Sequence, residues 1–157
     1  MSKTHQFFRH AFLVKVLHIF VLMTQKAPPI PTSITATLSV RNGCAAVGFY
    51  EAAFGASVLH RVDDESGAVV AQLSVSGAVF WIADESPEHQ NYSPDSLGGC
   101  SVRMLLIVTD PDDVCRTAVA AGATQVVPVS DNHGWRLGRI LDPFGHHWEI
   151  ARPMLHD

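Results

Sequence analysis

The sequence has little cysteine, and none of it stands at a spacing typical of zinc sites. Only three of the 157 residues are cysteines, Cys44, Cys100 and Cys115, which is an odd number without a CxxC pair. Zinc modules and disulfide-rich secreted scaffolds carry more cysteines at characteristic spacings. We therefore expect reduced thiols and a cytoplasmic protein.

Basic residues are too few and too scattered to indicate nucleic-acid binding. The chain has 11 Lys and Arg against 15 Asp and Glu, a formal net charge of -4. The basic residues that precede the first acidic residue, Glu51, stand singly among apolar ones. Binding to a phosphate backbone needs a clustered positive patch, so we expect no nucleic-acid partner.

The chain also lacks an uninterrupted apolar run long enough to span a bilayer. Its apolar stretch at 7–23 is broken by four residues, Arg9, His10, Lys15 and His18. A transmembrane helix needs about 20 mostly apolar residues, so we expect no membrane partner. Residues 1–32 are then an N-terminal extension with three possible origins: an amphipathic peripheral helix, a cleaved targeting segment, or translated material upstream of a true start at Met23. We favour the last.

What the sequence does contain is a pattern of strands and helices that occurs twice. A strand at 34–40 leads into a helix opened by Asn42 and closed by Gly55, and three strand-like segments follow. After a polar loop, a second strand, a helix opened by Asp110 and three more strands repeat this order.

The spacing of equivalent residues supports a duplication. Val40 and Val108 are 68 residues apart, and so are Trp81 and Glu149. We predict a domain at 33–153 made of two βαβββ modules, the first at 33–85 and the second at 100–153, with a linker at 86–99. Each module has one apolar sheet face that must be covered by the other module or by another chain.

Three segments carry a resemblance to a known family: FYEAAFGA at the end of the first helix, AVAAGAT at the end of the second, and GRILDPFGHHWEIA near the C-terminus. Together they resemble the vicinal oxygen chelate superfamily, in its glyoxalase/bleomycin-resistance-protein/dioxygenase-like branch, over roughly residues 34–152. The resemblance implies an α+β fold in which two βαβββ modules form a curled mixed sheet around a cavity. It also implies a small-molecule ligand and a homodimer.

Family members hold a metal ion with up to four ligands, usually His, Gln or Glu, from the first and last strands of each module. The matching positions here are Thr35, Trp81, Arg103 and Glu149, of which only Glu149 is a plausible ligand. A divalent cation needs three or more converging donors. We therefore expect no metal cofactor, and we expect the four side chains to converge on one hollow with Arg103 and Glu149 as an ion pair.

A relocated metal site remains as an alternative. His147 lies two residues before Glu149, so both side chains point to the same face of a strand. His133 or His60 would have to supply the third donor to a divalent metal ion.

Among the tryptophans, we expect Trp81 to contact the ligand and Trp135 to be a lesser candidate at the mouth of the cavity. Because side chains alternate between the two faces of a strand, we expect Trp148 to face the helices and pack in the core. His146 also points away from the ligand face, and we expect it to have a structural role. The ligand-binding candidates are Thr35, Trp81, Arg103, Trp135, His147 and Glu149.

The leading prediction is a small-molecule binding protein that lacks the metal site of the family. The alternative is a metal-dependent lyase, isomerase or dioxygenase that uses His147 and Glu149, with Glu149 as its catalytic residue. A module that binds another protein is the third possibility, and it is favoured if Trp81 and Arg103 fill the cavity.

Overall fold

The computed structural model describes residues 30–154, which form two halves with the same order of elements. The first half contains β1 (Thr37–Val40), α1 (Gly43–Phe54), β2 (Ser57–Asp63), β3 (Val69–Val75) and β4 (Ala78–Asp84). A 3-10 turn (Pro87–His89) and the short helix α2 (Pro94–Leu97) follow. The second half contains β5 (Arg103–Ile107), α3 (Pro111–Ala120), β6 (Thr124–Asn132), β7 (Trp135–Leu141) and β8 (His147–Pro153). Most of the predicted N-terminal extension, residues 1–29, lies outside the described residues.

Each half forms a four-stranded mixed sheet. The strand order is β1-β4-β3-β2 in sheet 1 and β5-β8-β7-β6 in sheet 2. The first pair in each sheet is parallel and the others are antiparallel. Thr37 pairs with Trp81 and Leu105 pairs with Glu149, which is the 68-residue offset seen in the sequence. The predicted α+β fold of two βαβββ modules is confirmed, but the two sheets do not close around a cavity.

The helices begin and end where the sequence indicates. The Asn42 side chain accepts a hydrogen bond from the Ala45 N–H at 2.9 Å, and Asp110 accepts one from the Asp113 N–H at 3.0 Å. Both are N-cap contacts that satisfy donors at the start of a helix. Gly55 has φ 64°, the left-handed conformation that ends many helices. None of the helices in residues 30–154 has both the length and the apolar character that a membrane span requires.

The first strand is shorter than the sequence predicts. It begins at Thr37 instead of Ile34, because its pairing with β4 starts at the hydrogen bond from the Trp81 N–H to the Ala36 carbonyl, 2.8 Å. Thr35 therefore lies outside the strand and is exposed.

The helix-bearing faces of the two sheets share one core. Phe80 of β4 and Trp148 of β8 have ring centroids 5.4 Å apart, and Tyr50 of α1 lies 5.2 Å from the first and 5.6 Å from the second. Because side chains alternate along a strand, the neighbours Trp81 and Glu149 point away from this core. The two sheets thus have outer faces that turn away from each other.

A buried aspartate joins the two halves. Asp142, in the turn between β7 and β8, is only 3% exposed. Its carboxyl oxygens accept hydrogen bonds from the Tyr50 hydroxyl (2.7 Å), the Trp148 indole (3.0 Å) and the N–H groups of Phe144 and His146 (both 2.9 Å). Burial raises the pKa of Tyr50 well above its ordinary value, so its hydroxyl stays protonated and remains a donor even at alkaline pH. Asp142 therefore ties α1 of the first half to β8 of the second.

Replacing Asp142 with alanine should destabilise the protein by about 3 kcal/mol or more, because two buried side-chain donors would lose their acceptor. Urea denaturation gives this difference. The matched control is Asp95→Ala, an exposed aspartate whose loss should change the free energy of unfolding by no more than about 0.5 kcal/mol. Equal effects of the two substitutions would contradict the role of Asp142.

Candidate functional site

The outer face of sheet 1 carries an aromatic and polar row of side chains. Strand pairing places Thr37, Trp81, Gln72 and His60 next to one another across β1, β4, β3 and β2. The rings of His60 and Trp81 lie edge to face with centroids 6.2 Å apart. Trp81 is half-buried, so part of its ring is available for contact with another molecule.

The outer face of sheet 2 carries charged side chains at the equivalent positions. Pairing places Leu105, Glu149 and Arg139 in one row, and Arg103, His147 and Leu141 in the next. Arg103 Nη1 lies 3.2 Å from Glu149 Oε1, so the expected ion pair is present. It is not buried at a cavity floor, since the side chains are 58% and 25% exposed.

Two polar atoms on this face have no hydrogen-bond partner. Arg139 Nε and His147 Nδ1 are buried, and within residues 30–154 neither meets a donor or acceptor. Sequence reasoning missed Arg139. The sequence did contain a sign of its position, because Arg139 lies four residues after Trp135 in β7 and so points to the same face of the sheet. Once β7 and β8 are paired, Arg139 lies opposite Glu149.

The remaining predicted residues lie apart from this cluster. Trp135 is on the same face but pairs with Pro153, four residues along β8 from Glu149, or roughly 13 Å at the usual strand rise. His133 lies in the turn beyond it. Trp81 is on the outer face of the other sheet, so one chain does not bring the four family positions together. His146 is buried, and its Nε2 lies 2.9 Å from the Ser39 carbonyl oxygen, as expected of a structural residue.

Residues 33–150 match the family model described as the glyoxalase/bleomycin resistance protein/dioxygenase superfamily. The chain belongs to this superfamily. An uncharacterised protein of Mycobacterium bovis is 35% identical over 130 residues, which cover 80% of this chain and 86% of that protein.

Solved structures have the same fold. A gene product of Arabidopsis thaliana is 28% identical with a TM-score of 0.61, and the match covers 78% of this chain and 99% of that one. The fosfomycin resistance protein FosX of Listeria monocytogenes, solved with Mn(II), is 14% identical with a TM-score of 0.60, and the match covers 81% and 96% of the two chains. At that identity the likeness to FosX concerns the fold alone.

Within one chain, the residues at the four positions that the resemblance assigns to metal ligands do not fit a metal ion. Among residues 30–154, no three His, Cys, Asp or Glu side chains are grouped so that they could hold one. His147 and Glu149 supply two donors at most, and the Arg103 guanidinium occupies the space beside Glu149. A divalent cation needs more donors and no fixed positive charge among them.

Two clefts border the linker. One of about 360 Å³ opens between β1 and β5 and is lined by Tyr92 and Cys100 among others, but by none of the predicted ligand-binding residues. A smaller one of about 280 Å³ lies beside His147 and Leu141, under linker residues 98–100. The second cleft therefore adjoins the charged cluster of sheet 2.

The exposure of the ion pair limits its contribution to stability. Arg103→Met should change the free energy of unfolding by less than about 1 kcal/mol, because exposed ion pairs contribute little. Urea denaturation measures this change. A loss of more than about 2 kcal/mol would show that the pair supports the fold and would weaken its assignment to a ligand.

Proposed function

We propose that this protein binds a small organic molecule without a metal ion, in a pocket that two copies of the chain complete together. The observation that carries this proposal is the position of the outer sheet faces. The candidate ligand-binding side chains lie on these two faces, which turn away from each other within one chain.

Exposed apolar side chains on both outer faces support a homodimer. Leu105 and Ile107 of β5 are 52% and 58% exposed, and Val70 and Val79 on sheet 1 are also exposed. Patches of this kind commonly mark interaction sites. In the described residues β1 and β5 are both edge strands, and such edges are available for contact with another chain.

The internal repeat favours a second copy over an unrelated partner. Since sheet 1 and sheet 2 are copies of one module, a two-fold axis could set β1 of one chain beside β5 of the partner, and the same contact would then form twice. Trp81 of one chain would face Glu149 of the other. The four positions that correspond to the metal ligands of the family would then lie together at the interface between the two chains.

Such a pocket would have the composition of a binding site for an organic molecule. Trp81 and His60 would form an aromatic wall, and Arg103 and Glu149 would supply a few polar groups opposite. Ligand pockets are mostly apolar, with a small number of placed polar groups. Trp135 and Thr35 would lie at the margins, and His147 beside the ion pair.

A metal-dependent enzyme that uses Glu149 as its catalytic residue is less well supported. FosX has the same fold and was solved with Mn(II), but in this chain the Arg103 guanidinium lies 3.2 Å from the Glu149 carboxylate and puts a fixed positive charge where a cation would bind.

All three cysteines are free thiols in the structure, which agrees with the cytoplasmic location proposed for the protein.

The dimer can be tested with one substitution on the outer face. Sedimentation equilibrium should give twice the 17.1 kDa chain mass for the unmodified protein, and Ile107→Asp should shift it to the monomer because a buried charge without a partner is costly. Val119→Asp, at an exposed apolar residue of α3, is the matched control and should remain dimeric. A monomeric parent protein would refute the shared pocket.

Metal content is tested by elemental analysis of protein purified without chelator. We expect Zn, Mn, Ni and Fe each well below one equivalent per chain, since the Arg103 guanidinium beside Glu149 would repel a cation. Stoichiometric metal that is lost in His147→Ala would establish the metal-dependent alternative instead.

A further inference from the structure

We propose that the outer face of sheet 2 binds the oxyanion of the ligand, a carboxylate or phosphate group carried by an apolar organic molecule. This inference rests on the proposed function, because it names the ligand class of the same pocket. It comes from four side chains that lie together on β5, β7 and β8: Arg103, Arg139, His147 and Glu149. We refer to them as the charged cluster.

The charged cluster is positive overall. Arg103 and Arg139 contribute two positive charges, and Glu149 contributes one negative charge. Strand pairing places no further Asp, Glu, Lys or Arg on this face within residues 30–154; one acidic residue, Asp95 of α2, lines the cleft beside His147. An excess of positive charge in a chain whose formal net charge is -4 favours an anionic ligand.

The two arginines are in different situations. Arg103 Nη1 lies 3.2 Å from Glu149 Oε1, so the positive charge of Arg103 is already balanced by a carboxylate of the same chain. Arg139 lies opposite Glu149 in the strand pairing, yet it makes no ion pair with any described residue. Arg139 is therefore the cation whose charge remains available.

The unpartnered polar atoms indicate where the anion would bind. Buried polar atoms nearly always have a partner, and each exception requires an explanation. Here Arg139 Nε and His147 Nδ1 are both exceptions. An oxyanion could accept hydrogen bonds from Arg139 through Nε and one Nη, the two-point contact that guanidinium makes with carboxylate and phosphate, and from His147 through Nδ1.

The residues around the charged cluster indicate the chemistry of the part of the ligand that is not the oxyanion. Leu105, Leu137 and Leu141 flank the cluster on neighbouring strands, and the 280 Å³ cleft opens beside His147. An apolar body next to the anionic group would contact these leucines. The ligand class is thus an amphipathic organic acid or phosphate ester.

The test is calorimetric titration of the full chain with 1-naphthoate, its neutral counterpart 1-naphthamide, and phenyl phosphate. We expect 1-naphthoate or phenyl phosphate to bind at least about tenfold more tightly than the amide, because hydrogen bonds to charged groups are the strong ones. Arg139→Met should remove this preference. Arg116→Met, at an exposed arginine of α3, is the matched control and should retain it.

The outcomes separate the two proposals. If the acid and the amide bind equally well, and Arg139→Met changes neither, the oxyanion site is wrong while small-molecule binding stands. If none of the three compounds binds, both proposals are overturned. Tighter binding of 1-naphthoate identifies a carboxylate, and tighter binding of phenyl phosphate identifies a phosphate; either result supports the oxyanion site.

Stability provides a second readout that a purely structural role for Arg139 would not give. Removing a buried donor that has no partner should leave the melting temperature of the ligand-free protein unchanged or raise it. A clear fall in the melting temperature of Arg139→Met would show that Arg139 supports the fold, and would contradict its assignment to the ligand.

Discussion

The Asp142 carboxyl group accepts hydrogen bonds from Trp148 of the last strand of sheet 2 and from Tyr50 of the first helix, and so links the two halves. Because Tyr50 and Trp148 are fixed by this group, the helix-bearing faces of the two sheets pack into one core. The opposite faces must then turn outwards. The position of every candidate ligand-binding side chain follows from this constraint, since each lies on an outer face or beside one.

The sequence was sufficient to predict the elements and their repeat. Alternating apolar residues, the N-caps Asn42 and Asp110 and the glycine at 55 act locally, so their effects can be inferred without a structure. The arrangement of the two modules depends on contacts such as Phe80 with Trp148, which are distant in sequence. That is why a hollow within one chain was expected and two separate outer faces were found.

The sequence predicted the charged cluster only in part, for the same reason. Arg103 and Glu149 were identified through the resemblance to the superfamily, and their contact is present at 3.2 Å. The exposure of Arg103 and the buried, unpartnered Nε of Arg139 could not be inferred, because both depend on how β7 and β8 pair and on where the linker lies. The positive charge of Arg103 lies at one of the positions that the resemblance assigns to metal ligands, and this favours an anion as the partner.

A binding pocket that takes one face from each of two chains can be restored from two defective variants. Trp81→Ala and Arg139→Met proteins are mixed, their subunits are allowed to exchange, and the high-affinity 1-naphthoate sites are counted by calorimetry. If the pocket is shared, half of the dimers are mixed and each has one intact site, so about a quarter of the sites should return. Recovery of no sites, when each variant alone has lost binding, would contradict the shared pocket.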